Sequence, residues 1–199
     1  MLYTIAKGIL RPIFFLFYNY RIIGKENIPA DEAYIVCSNH VSAIDPILVA
    51  FAVPRKMHFM AKAELFRNKL LGILLSALGA FPIKRGEADI KGIKTSLKLL
   101  NSGKILSLFP EGTRNKTDEL LAEPGIAMLA IRGKVPVLPI VIISSYKFFK
   151  KTSIIIGKPI DLSEYYGKKL NSEDYTQISI GIMSKIIKLK GNVKDENYT

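Results

Sequence analysis

A chain of 199 residues carries one compact domain with a full hydrophobic core and is short for two. An apolar share of 49% argues against disorder outside the polar tail 191–199, and a formal charge of +12 calls for an anionic partner: a lipid surface, a nucleic acid or a phosphate-bearing substrate. The lone Cys37 excludes an internal disulfide, and with only His40 and His58 beside it no zinc spacing arises, so no metal is expected.

The chain opens on an apolar run, Met1 to Ile23, interrupted by Lys7, Arg11 and Pro12. A spanning helix wants about twenty nearly uncharged residues, and Tyr18 to Arg21 offers none of the small residues of a cleavage site. The run therefore reads as an amphipathic interfacial segment over 1–30, with Ile13, Phe14, Phe15, Leu16, Phe17 and Tyr18 turned to acyl chains and Lys7, Arg11 and Arg21 to anionic head groups. Its alternative is a helix packed on the protein's own core.

From Tyr34 onward short β-rich runs alternate with helical stretches over 31–190. That pattern predicts a single α/β domain with a mostly parallel mixed sheet flanked by helices. Strands are expected near Tyr34 to Ser38, Lys56 to Ala61, Lys104 to Phe109, Val135 to Ile143 and Ser153 to Ile156. Gly79, Gly103 and Gly133 follow helical periodicity, where a left-handed residue ends a helix. The run Ala63 to Leu78 has almost no polar face in its second half, so it is buried, lines a greasy cavity or faces lipid. The last helix, Ser172 to Leu189, opens on a serine cap signal and puts Tyr175, Ile178, Ile182 and Ile186 on one face.

Between the first expected strand and the next helix stands Ser38-Asn39-His40-Val41-Ser42-Ala43-Ile44-Asp45-Pro46. In a continuous helix His40 and Asp45 would lie on different faces. Pro46 pushes Asp45 out of the α region, so Asp45 is expected to cap a helix over 46–53 and His40 to sit in the loop before it. A folded-back loop would let the carboxylate hold one ring nitrogen and leave the other to take a proton from a hydroxyl, which makes a general base. Spacing alone favours the plainer pairing of a helix cap with an ordinary loop histidine.

After the third expected strand comes Phe109-Pro110-Glu111-Gly112-Thr113-Arg114, in which Gly112 and Thr113 let backbone amides approach a ligand and Arg114 offers a planar fork for phosphate. A surface turn with a solvated arginine explains it equally. Lys62, at the end of the second expected strand, is a further candidate phosphate ligand.

These segments together resemble the glycerolipid acyltransferase family, and most closely its branch that acylates 1-acyl-glycerol-3-phosphate. The blocks are His40 to Asp45, Lys62 to Phe66, Gly79 to Arg85, Phe109 to Arg114 and Val135 to Ile140, in that order. They run across about half of the chain. Each is common alone, and the ordered set is specific. The resemblance implies transfer of an acyl group from an acyl carrier protein or coenzyme A thioester to lysophosphatidic acid, giving phosphatidic acid, with no acyl-enzyme intermediate and no resident cofactor. It implies His40 as base and Asp45 as its orienter. It makes Lys62 and Arg114 phosphate ligands, places Glu111 and Gly112 in the acceptor pocket, and makes Arg85 and Thr113 substrate-binding candidates. It also implies a peripheral or monotopic protein on the cytoplasmic face of the cell membrane, in contact with anionic lipid. Glu123-Pro124 replaces the basic residues many relatives carry ahead of Gly125, which lowers the positive charge of the phosphate pocket there.

Another lysolipid acceptor or a thioester hydrolase would use the same pair. No G-x-S-x-G elbow supports a serine mechanism. Lys147-Phe148-Phe149-Lys150-Lys151 mixes aromatics with cations, but no zinc knuckle, aromatic RNA-binding strand or P-loop accompanies it, so no nucleic-acid partner is expected.

Overall fold

The computed structural model describes residues 2–84, 89–112, 114 and 122–192. In chain order they form α1 (Leu2–Tyr18), β1 (Tyr20–Ile23), β2 (Ile35–Ser38), α2 (Asp45–Ala52), β3 (Met57–Lys62), α3 (Lys69–Ala77), β4 (Ala80–Ile83), α4 (Ile90–Asn101), β5 (Ile105–Leu108), α5 (Gly125–Gly133), β6 (Val137–Ser144), β7 (Thr152–Ile156) and α6 (Ser172–Lys188), with short 3₁₀ turns between. One seven-stranded sheet has the order β1-β7-β6-β2-β5-β3-β4. Every pairing is parallel except β6 with β7.

The central strands are apolar on both faces because helices cover both. Ile35, Cys37, Leu106, Leu108 and Val137 turn to α4, α5 and α6. Tyr34, Val36, Ile105, Leu138 and Ile140 turn to α2 and to the inner stripe of α1. The alternation is the two-residue period of a strand seen from both sides. After β2 the chain crosses over β5 to reach β3, whereas after β5 it crosses back over β2 to reach β6. The connections leave in opposite directions, so a crevice opens at the C-terminal ends of β2 and β5, the position where open α/β sheets bind ligands.

The structure adds two strands that the sequence pattern does not suggest, β1 and β4, and they are the two edges of the sheet. Each has four residues, and β4 contains Pro82, which lacks an N–H and is tolerated on an edge strand. Because Tyr20–Ile23 pairs with β7, the unit expected over 1–30 ends as a helix at Tyr18, and residues 20–30 belong to the sheet domain.

α1 runs unbroken through Pro12. It docks through Tyr3, Leu10 and Phe14, with Phe14 edge-on to Phe51 of α2 at 5.4 Å. Phe14 therefore faces protein and not outward. Leu2, Ile5, Ile9, Ile13, Phe15, Leu16 and Phe17 remain exposed. No helix among the described residues is long and apolar enough to cross a membrane.

The continuous helix expected over Ala63 to Leu78 is split: a 3₁₀ turn, Ala63–Phe66, precedes α3, whose cap Asn68 accepts the Leu71 N–H at 3.1 Å. Burial of this helix is excluded, since Leu70 is 82% exposed and Leu71, Ile73 and Leu74 are exposed with it. Gly79 and Gly103 adopt the left-handed conformation expected of them. Gly133 does not; Lys134 takes that conformation, and a Cβ at Gly133 would stand 2.9 Å from Leu100 Cδ1, so a side chain there would require Leu100 to shift. The cap of α6 is Asn171, in a reciprocal box with Asp174, not Ser172. Of the tail, residues 193–199 lie outside the described set.

Candidate active site

β2 delivers Ser38 to the crevice, and Asn39 anchors the loop beyond it to β6. The Asn39 side-chain oxygen accepts the Ile142 N–H at 2.8 Å and its amide donates to the Ile142 carbonyl at 3.0 Å, extending the β2–β6 pairing by side chain. The next residue, His40, is 9% exposed. Its backbone N–H donates to Glu111 Oε2 at 3.0 Å, and its ring stacks on Phe109 at 4.1 Å between centroids.

His40 Nδ1 lies 3.1 Å from Asp45 Oδ2. The same oxygen accepts the N–H groups of Val41 at 2.7 Å and Ser42 at 2.6 Å. Asp45 is therefore not a helix cap: α2 begins at Asp45, Ile44 precedes it without a side-chain bond, and the carboxylate reaches back into the loop. That backward reach closes the loop and brings together two side chains five positions apart. The second oxygen, Oδ1, accepts the Tyr146 hydroxyl at 2.8 Å. With 0% exposure, the carboxylate exchanges water for four protein donors. His40 Nε2 makes no hydrogen bond to any described residue, which leaves it the free ring nitrogen.

On the neighbouring strand end, the turn after β5 closes with the Gly112 N–H on the Phe109 carbonyl at 3.1 Å. Gly112 has φ +65°, a left-handed conformation that favours glycine. Glu111 points under His40. Burial pushes its carboxyl up to about 7, helped by the negative charge of Asp45, while the His40 N–H and Lys190 oppose the rise. Burial and the Asp45 charge likewise push the Tyr146 hydroxyl well above its ordinary value, so it stays a donor.

The rise at Glu111 fixes a stability slope. The folded protein keeps this proton to higher pH than the unfolded chain, so stability falls as pH climbs from the ordinary carboxyl range to about 7. Glu111→Gln retains an oxygen for the His40 N–H and has no proton to lose. Urea denaturation at about pH 5 and about pH 8 is expected to show the wild type losing stability relative to the variant across that interval. Parallel pH dependence for the two proteins would contradict the assignment.

Of the residues expected at the site, His40, Asp45 and Glu111 are brought into contact, and Gly112 forms the turn beside them. Lys62, at the end of β3, and Arg114, after β5, are exposed, and neither makes a hydrogen bond or ion pair to His40, Asp45 or Glu111. Arg85 and Thr113 lie outside the described residues. Two grooves, of about 460 and 360 Å³, flank α1 and are lined by Arg11, Arg21, Lys25 and Arg55 among others; neither reaches His40.

Sequence reasoning missed Phe109 and Tyr146. Phe109 opens a recognised block, so only its stacking on His40 was missed. Tyr146 stands 101 positions from Asp45 and no spacing signal links them.

Residues 19–143 match the family model described as Acyltransferase. The 1-acyl-sn-glycerol-3-phosphate acyltransferase of Bacillus subtilis is 34% identical over 170 residues, covering 82% of this chain and 85% of that protein. The enzyme of the same name from Streptococcus pneumoniae is 30% identical over 203 aligned positions, covering 98% and 75%. Among solved structures, the 1-acyl-sn-glycerophosphate acyltransferase of Thermotoga maritima aligns with a TM-score of 0.68 and 25% identity over 93% of this chain and 78% of that one.

Proposed function

Because the chain belongs to the acyltransferase family, we infer that it is a 1-acyl-sn-glycerol-3-phosphate O-acyltransferase, moving a fatty acyl group from a thioester to lysophosphatidic acid to give phosphatidic acid. The observation that carries this reading is the buried Asp45 carboxylate holding His40 Nδ1 at 3.1 Å while Nε2 has no partner among the described residues.

Nε2 takes the proton of the glycerol hydroxyl as its oxygen attacks the thioester carbonyl. The C–O bond forms, the carbonyl electrons move to oxygen, and the intermediate collapses with loss of the thiolate, which recovers the proton from the imidazolium. A thioester is already activated, so positioning and a base suffice and no resident cofactor is required. Acyl carrier protein and coenzyme A are the two carriers to compare. Lys62 and Arg114 are assigned to the acceptor phosphate, Glu111 and Gly112 to the acceptor pocket, and Arg85 and Thr113 to substrate binding.

The acceptor has an acyl tail and lives in a bilayer, so the protein works at a membrane surface, here assigned to the cytoplasmic face. The exposed apolar side chains of α1 and α3 support this reading, each worth roughly 1.5 to 3 kcal/mol on full burial. Basic residues add about 1 kcal/mol apiece near anionic lipid. Apolar insertion is thus the larger contribution, and charge selects the leaflet.

One experiment tests the whole reading. The purified chain is mixed with vesicles of anionic or zwitterionic lipid bearing lysophosphatidic acid or lysolipids of other head groups, plus either thioester. Phosphatidic acid is expected from lysophosphatidic acid, faster on anionic vesicles, which also co-sediment more protein. Equal turnover of every head group would sink the acceptor assignment, and free fatty acid released without any acceptor would mark a hydrolase.

A further inference from the structure

Tyr146 belongs to none of the blocks on which the functional reading rests, yet its hydroxyl donates to Asp45 Oδ1 at 2.8 Å. The rest of its surroundings hold that hydroxyl in place. Tyr146 has φ +57° and Phe149 φ +63°, left-handed values that side-chain-bearing residues adopt only where their surroundings impose them. The Tyr146 N–H donates to Ser144 Oγ at 3.0 Å, which is itself 2.8 Å from Thr152 Oγ1 across the β6–β7 pair. At the far end of the loop the Phe149 N–H bonds the Phe17 carbonyl of α1, and Phe148 packs on the rings of Phe17 and Tyr18. Sheet and α1 thus clamp a strained loop from both sides.

On the reading of His40 as the base, we propose that Tyr146 is a positioning residue that fixes the Asp45 carboxylate and tempers the basicity of His40. Oδ2 already serves His40, Val41 and Ser42. With Oδ1 unbonded the carboxylate could turn about its own axis and would carry its full charge toward the imidazole. A phenol on Oδ1 prevents the rotation and withdraws part of that charge. The imidazolium formed on proton abstraction is then held loosely enough to return its proton to the leaving thiolate. The titratable groups around Asp45 are His40, Tyr146 and Glu111, with Lys190 beyond Glu111.

Tyr146→Phe keeps the ring and removes the donor. The chain has two histidines, so NMR titration of the full-length protein in detergent reads His40 with His58 as internal reference. The His40 midpoint is expected to move to higher pH while His58 stays. In parallel, the acid limb of the kcat profile moves up, and kcat falls about tenfold with KM for both substrates unchanged. Ser144→Ala, which frees the Tyr146 backbone without touching Asp45, should move His40 the same way by less, and it decides the matter if Tyr146→Phe fails to fold. A His40 midpoint and kcat equal to wild type overturn the proposal, as does a shift shared by His58. The His40→Ala variant keeps the two ideas apart: full turnover in it would remove the base assignment, whereas the titration tests Tyr146 whether or not the protein is active.

Discussion

Replacing His40 with alanine is expected to lower kcat by about 10² to 10⁴ while the circular dichroism spectrum stays native. The loss equals about 3 to 5 kcal/mol of transition-state stabilisation. The fold survives because Asp45 remains satisfied: Val41 and Ser42 still donate to Oδ2 and Tyr146 to Oδ1. The backbone N–H of residue 40 also keeps its bond to Glu111. What disappears is the stack on Phe109 and the ring that carries the proton. Turnover of lysophosphatidic acid with either thioester, measured beside a thermal melt, checks this. A variant that retains wild-type turnover would show that this imidazole is not the base.

The second large effect separates orientation from architecture at Asp45. Asp45→Ala strips four donors of their acceptor, two of them backbone N–H groups in the loop that carries His40. Unpaired donors of this kind, lost from a residue with 0% exposure, are expected to cost about 3 kcal/mol in total. For a chain of this size that lowers Tm by about 6 to 12 °C, with turnover lost as well. Asp45→Asn keeps an oxygen for Val41 and Ser42 but cannot stabilise an imidazolium. It should lose about 10³ to 10⁴ in kcat while holding most of its stability. Differential scanning calorimetry and turnover on both variants make the distinction. Equal melting temperatures for wild type and Asp45→Ala would mean the carboxylate does not organise the loop.

How much of this was legible differs from element to element. The central strands were readable because burial on both faces writes an unbroken β-rich run into Tyr34 to Ser38 and Lys104 to Phe109. The edge strands β1 and β4 carry no such signature, since most of their residues are half-buried or exposed and need not be apolar on both faces. For α3 composition favoured a core over a cavity wall or a lipid-facing surface, and only the fold put its leucines outside, because β3 and β4 are joined by it at the rim of the sheet. The glycine at 133 looked like a helix stop and is a packing contact with Leu100, a neighbour on another helix.

At the site, residue types and their order along the chain already fixed which chemistry was on offer: one imidazole, one carboxylate five positions on, and a Glu-Gly-Thr-Arg turn after a later strand. Folding decided what each carboxylate does. Asp45 reads in one dimension as a cap, because a residue before proline at a helix start normally points forward. It points backward here because the half-buried N–H groups of Val41 and Ser42 and the His40 ring lie behind it. Tyr146 could come only from three dimensions. β6 pairs with β2, so a loop 101 positions downstream arrives beside Asp45, and a contact made across neighbouring strands leaves no trace in local spacing.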